Sequence, residues 1–106
     1  MILNETSLPR QGFLAIIVFR PLDGLEQECL DAIRLLYQLI RSKSYGRGIL
    51  LRDVNDGCWI GIRFWASEEA RREAQEDPEL LRVWQRLGHL CTVDLVREQL
   101  EKIDLD

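Results

Sequence analysis

Residues Cys58–Ala70, CWIGIRFWASEEA, decide the fold of this chain. Positions 58–65 are apolar, aromatic and β-branched and read as a strand that closes at Trp65. Ser67 then caps a helix, with Glu68 and Glu69 in its first turn, where the helix dipole favours carboxylates. The period of two sends Ile60, Ile62 and Phe64 to one side of the strand and Trp59, Gly61, Arg63 and Trp65 to the other. No other stretch joins an apolar strand so abruptly to a helix start, with a large aromatic at the corner.

Upstream, Asn55-Asp56-Gly57 separates this strand from another at about residues 47–54. Asp-Gly between two strand-like runs is strong hairpin chemistry, because Gly and Asn accept positive φ, so the two strands are expected to be antiparallel neighbours. Further upstream, FLAIIVF at 13–19 is continuously apolar and predicts a strand buried on both faces, ended by Pro21. Asp23-Gly24-Leu25-Glu26 is a variant capping box in which Asp23 caps and Glu26 reaches back. A helix follows to about Arg41, with Leu25, Cys29, Ile33, Leu36 and Ile40 as its buried stripe, widened by Ala32 and Leu39.

Downstream, the helix opened by Ser67 runs to about Gln75. Asp77-Pro78 starts a second helical segment as N-cap and N1 proline. Leu80, Trp84 and Leu87 form its stripe with Val83 beside it, and Gly88 is the expected C-terminal cap. Residues 89–97 predict a last strand with Cys91, Val93 and Leu95 on one side. The organisation expected is an amino-terminal arm (residues 1–12), one domain (13–97) and an acidic tail (98–106). The domain has an α+β, ferredoxin-like β-α-β-β-α-β order, with an antiparallel sheet and helices on one face.

Composition narrows the function. The chain has 106 residues, 46% of them hydrophobic, and a formal net charge of −4. All of its 14 basic residues except Lys43 and Lys102 are arginine, scattered among acids. No basic face is offered to nucleic acid, and no apolar run approaches the roughly 20 residues that span a bilayer. No signal peptide is visible. Cys29, Cys58 and Cys91 are widely spaced among apolar residues, which predicts buried free thiols in a reducing, cytoplasmic setting. His89 is the sole histidine, so the pair His89 and Cys91 does not predict a metal site.

Two helices cover one sheet face, yet the first strand is apolar on both. An exposed apolar sheet exceeds what a monomer tolerates. A homodimer packing sheet on sheet is therefore expected; the alternative is the arm and tail folding over the bare face.

The apolar FLAIIVF, the helix start DGLEQE, the strand YGRGILLRD and, above all, WIGIRFWASEEA resemble the antibiotic biosynthesis monooxygenase family, over residues 13–97. The resemblance implies a dimeric α/β barrel with a pocket between helices and sheet. It implies, for some members, oxidation of polycyclic phenols by molecular oxygen without metal or flavin. Trp65 matches the family's tryptophan. The family's asparagine on the same strand falls near Gly61, which supplies no hydrogen bond, and Arg82 or Arg86 stands where a basic residue of the second helix is used. A haem-degrading branch uses an asparagine on the first strand and a histidine on the second helix. Neither is present, so no haem or other cofactor is expected.

The candidate substrate site is Gly61, Arg63, Trp65 and Trp84, with the glycine leaving a gap beneath the other three. A small apolar or aromatic molecule is the expected ligand. The catalytic residues are left open. Trp65 and Trp84 serve equally as packing anchors, and Arg63 either holds an anionic substrate or pairs with a carboxylate. Tyr37 and Tyr45 are potential donors to a ligand, Tyr37 lying beside the helix stripe. Two readings remain: a cofactor-independent, monooxygenase-like enzyme acting on a small aromatic or quinol, and a non-catalytic dimeric binding module.

Overall fold

Each apolar run becomes a strand of one antiparallel sheet. The computed structural model describes residues 14–101 and 103–105, so the expected arm at 1–12, together with Phe13, lies outside the described residues. The elements are β1 (Leu14–Pro21), α1 (Glu26–Ser42), β2 (Gly46–Arg52), β3 (Trp59–Trp65), α2 (Glu68–Glu76), α3 (Pro78–Leu90) and β4 (Cys91–Leu100). The sheet order is β2-β3-β1-β4, every neighbour antiparallel. This is the expected ferredoxin-like α+β fold, with the second helix broken at Asp77-Pro78. No described helix is long and apolar enough to cross a membrane.

The β1–β3 register sorts the two sheet faces. Ala15 lies opposite Arg63, Ile17 opposite Gly61 and Phe19 opposite Trp59. All six are buried on the helix side, where Phe19, Ile33, Leu36, Ile40, Leu80 and Leu87 form the fully buried centre. Leu14, Ile16, Val18, Ile60 and Ile62 alternate onto the other face and are half-buried. The expected α1 stripe is buried at Cys29, Ala32, Ile33, Leu36 and Ile40.

Three local expectations are corrected. The N-cap of α1 is Leu25, without a side-chain cap, and the expected capping box at Asp23 does not form: Glu26 accepts instead from the Gly24 N–H at 3.3 Å. Gly88 does not end α3, which continues to Leu90, because Cys91 leaves the helix directly into extended backbone. His89 consequently sits exposed in the last helical turn rather than at a strand start. β4 runs to Leu100 and takes in the first residues of the expected tail, with register irregularities between the pairs at Leu14, Ile16 and Ile17.

The gap expected beneath Gly61 is filled. A methyl added there would fall on the Tyr37 hydroxyl and 2.9 Å from the Phe19 ring. Gly61 is thus a packing position, required by the close approach of α1, and the cavity described below does not include it. The sequence shows that the glycine is small, but which side chain occupies the space depends on how α1 lies across β3.

Asp77 ties the helix break to the loop after α1. Its Oδ1 accepts from the backbone N–H groups of Glu79 (2.9 Å) and Leu80 (3.4 Å), capping α3. Its Oδ2 accepts from Lys43 Nζ (2.8 Å) and Tyr45 Oη (2.7 Å). Lys43, then Tyr45, then the two backbone donors hold the Asp77 carboxyl well below the usual carboxylate range.

Two predictions follow from this packing. Gly61→Ala should destabilise the fold by about 1–3 kcal/mol through overpacking, and adding Tyr37→Phe, which removes the colliding hydroxyl, should recover part of the loss in denaturant melts. Asp77 binds its proton more weakly folded than unfolded, so its contribution is complete above the unfolded carboxylate pKa of about 3.9 and is lost as pH falls below it. Asp77→Asn should lower the melting temperature at pH 7 and make the decline between about pH 4 and pH 2 shallower than in the parent protein.

Candidate functional site

A cavity of about 320 Å³ opens between the sheet and α3. Ala15 and Ile17 of β1, Arg63 and Trp65 of β3, and Leu80 and Trp84 of α3 line it, with Ala74, Gln75, Leu81, Val93, Leu95 and Glu98 completing the wall. The alternation of β3 places Arg63 and Trp65 on the helix side. The Asp77-Pro78 break re-aims the chain so that α3 brings Trp84 over them. The Trp84 and Phe19 rings stack with centroids 6.3 Å apart and planes 17° apart, which sets the indole against the core. Of the expected site residues, the structure brings together Arg63, Trp65 and Trp84 and leaves out Gly61.

Arg63 is the chemical centre of this cavity. It is only 6% exposed. Its guanidinium carbon lies 4.7 Å from the Trp84 ring centroid and 5.6 Å from that of Trp65, so two indoles hold the cation. Among the described residues no carboxylate pairs with it, and its Nε and Nη2 are buried without a hydrogen-bond partner. Burial pushes the guanidinium below its usual range, and the Tyr37 hydroxyl beside it partly offsets the shift. The Tyr37 hydroxyl is buried and also makes no well-formed hydrogen bond. Burial raises its pKa, with Arg63 pulling the other way, so the phenol stays neutral.

Carboxylate chemistry sits apart, at the cavity's exposed side. Glu98 Oε1 accepts from Gln75 Nε2 at 3.2 Å and lies 3.5 Å from Arg71 Nη1. Arg71 also pairs with Glu68. Glu98 is therefore engaged by α2, and among the described residues no carboxylate compensates Arg63. Sequence reasoning missed Tyr37 as the neighbour of Arg63, and it missed the Arg71–Glu98–Gln75 group. Tyr37 carried a weak signal, lying next to Leu36 on the buried stripe, whereas Glu98 carried none, since its partners are more than twenty positions away.

Other candidates are placed elsewhere. Arg82 and Arg86 are on the exposed side of α3 and do not line the cavity. Tyr45 is committed to Asp77. Cys29, Cys58 and Cys91 are free and buried. Burial pushes the Cys29 thiol up to about 12, with Cys91 beside it adding to the shift, so it is no nucleophile at neutral pH. Asp53, Asp56 and Cys58 bring one ligand atom each within 4.8 Å of one another at the β2–β3 hairpin. Asp53 and Asp56 there accept from the backbone N–H groups of Asn55 and Cys58, which accounts for the cluster as turn chemistry. A second cleft, of about 590 Å³, lies between α1 and β2 and carries Arg34, Arg41 and Arg47. All three are exposed, so water solvates them, unlike Arg63.

No known family model matches the sequence, and no curated protein matches it. Solved structures do. A mutant of SnoaB, a cofactor-independent oxygenase from Streptomyces nogalater, superposes with a TM-score of 0.73 at 18% identity, covering 88% of this chain and 96% of that one. A Deinococcus radiodurans protein, provisionally assigned as an antibiotic biosynthesis monooxygenase, gives 0.68 at 13% identity, covering 88% and 97%. A conserved protein of unknown function from Bacteroides thetaiotaomicron gives 0.75 at 8% identity, covering 86% and 99%. In fold, the chain resembles the antibiotic biosynthesis monooxygenase-like proteins, as its WIGIRFWASEEA stretch leads one to expect.

Proposed function

We propose that this protein takes a small aromatic molecule into the cavity bounded by Arg63, Trp65 and Trp84 and oxidises it with molecular oxygen, as a cofactor-independent monooxygenase. The observation that carries this reading is the cavity itself: apolar, walled by two indoles and holding one buried cation. Indole faces favour a flat ring. A desolvated guanidinium stabilises negative charge that develops on a phenol as it loses its proton and passes an electron to oxygen, and it does so more strongly than it would in water. The fold shared with SnoaB, itself a cofactor-independent oxygenase, is consistent with this chemistry.

A second reading, a binding module without turnover, has its own support. Arg63 and Glu98 are the charged groups on the cavity wall, and Glu98 is already engaged. A general base must reach the proton it removes, and none stands free beside Arg63 among the described residues. Oxygen uptake on a panel of quinols separates the two: consumption that matches substrate loss supports the enzyme, and quenching of tryptophan fluorescence without consumption supports the module.

The same proposal includes a homodimer through the open sheet face. Ile16, Val18, Ile60 and Ile62 form an apolar patch there, with Leu51 48% exposed. The three buried free thiols fit a reducing compartment, the cytoplasm.

Trp65→Ala should abolish ligand binding or turnover while costing about 3–5 kcal/mol of stability. Unimpaired binding in this variant would remove the cavity from consideration. Val18→Arg should convert a sedimenting dimer to monomer, whereas Leu35→Arg on the exposed side of α1 should not. A parent protein that sediments as a monomer at micromolar concentration would refute the dimer.

A further inference from the structure

We infer that the ligand of the Arg63 cavity is an aromatic anion, a planar ring bearing a carboxylate, with its negative charge on Arg63 and its ring between Trp65 and Trp84; this rests on the cavity being the binding site. An aromatic-walled cavity alone accommodates neutral and charged rings equally. Four observations decide for charge.

First, a guanidinium removed from water carries a large desolvation penalty, which two cation–π contacts offset only in part. Second, Arg63 has no carboxylate partner among the described residues, and the neutral Tyr37 hydroxyl beside it brings no negative charge. Third, Glu98, the carboxylate on the same cavity wall, is bound by Arg71 and Gln75 on the α2 side. Fourth, Arg63 itself lines the cavity, so its remaining 6% of exposure is presented to whatever enters. The charge is delocalised over the planar group, and an anion that touches its accessible end compensates the whole. Nε and Nη2 are buried and need not be reached.

The Trp65 and Trp84 rings fix the orientation. They flank the cation, so a flat ring whose carboxylate meets Arg63 extends along the indole faces toward Ala15, Ile17 and Leu80. A carboxylate fits better than a larger, more highly charged phosphate, because the wall holds one cation and its other charged residue, Glu98, is itself an anion.

The test compares 1-naphthoate with 1-naphthamide, its neutral isostere, by tryptophan fluorescence quenching at pH 7 with the full chain. The parent protein should bind naphthoate about tenfold to a hundredfold more tightly than naphthamide, the range of a charge-assisted contact. Arg63→Met should bind the two equally while still binding naphthamide, and its melting temperature without ligand should equal or exceed that of the parent, since it removes an uncompensated buried cation. Arg63→Lys keeps the charge and should restore part of the preference, which guards against a Met variant that repacks. Equal affinity of the parent for both compounds would overturn the assigned charge and leave the cavity as a site for neutral rings. A naphthoate preference that persists in Arg63→Met would place the anion elsewhere and overturn the inference too. Binding of neither compound would overturn both the inference and the cavity as a site.

Discussion

The pleat of β3 governs this structure. β3 is hydrogen-bonded on both sides, to β1 and β2, so it has no freedom to rotate or slip without turning every side chain to the wrong face. That constraint sends Trp59, Gly61, Arg63 and Trp65 together beneath the helices. Arg63 is carried into the core as a consequence of register. Two indoles and a phenol meet it there, and among the described residues no carboxylate does. The cavity beside it exists because a guanidinium, two indoles and the small Ala15 do not fill the space between sheet and α3.

The helical layer is set by a second, polar device. Asp77 caps α3 and receives Lys43 and Tyr45 from the loop after α1, which locks α3 against α1 at the break in the second helix. Without a break at this point, one straight helix would continue the line of α2 and carry Trp84 away from Arg63. The aromatic cage therefore depends on the Asp77 carboxylate at the helix break. A proton on that carboxylate weakens the geometry that brings α3 over the sheet, so acid sensitivity of the fold and integrity of the cavity are coupled through one residue.

Arg63 costs the core stability. A well-packed apolar residue in its place relieves the core of an unpaired charge. Keeping a cation there makes sense where something anionic spends time beside it, either as a bound ligand or as charge developing on one. The fold is shared with a cofactor-independent oxygenase and with a protein of unknown function, so the scaffold by itself assigns no chemistry.

The order of strands and helices, the hairpin at Asn55-Asp56-Gly57, the buried stripe of α1 and the Asp77-Pro78 break were all legible in the amino-acid sequence, because each depends on neighbours a few positions apart: periodicity, a cap, a turn residue. The side of β3 that carries Arg63 and Trp65 was legible for the same reason, since alternation is local. The ends of elements were less so: Gly88 looked like a stop, yet its helix runs on to Leu90 because the following strand begins only at Cys91. The contents of the site lay beyond local reading. That Tyr37 closes the space under Gly61, that Glu98 is drawn to Arg71, and that Arg63 meets no carboxylate among the described residues all depend on residues many positions apart in the chain. Close packing admits one occupant per volume, and only the assembled helices and sheet choose which side chain that is.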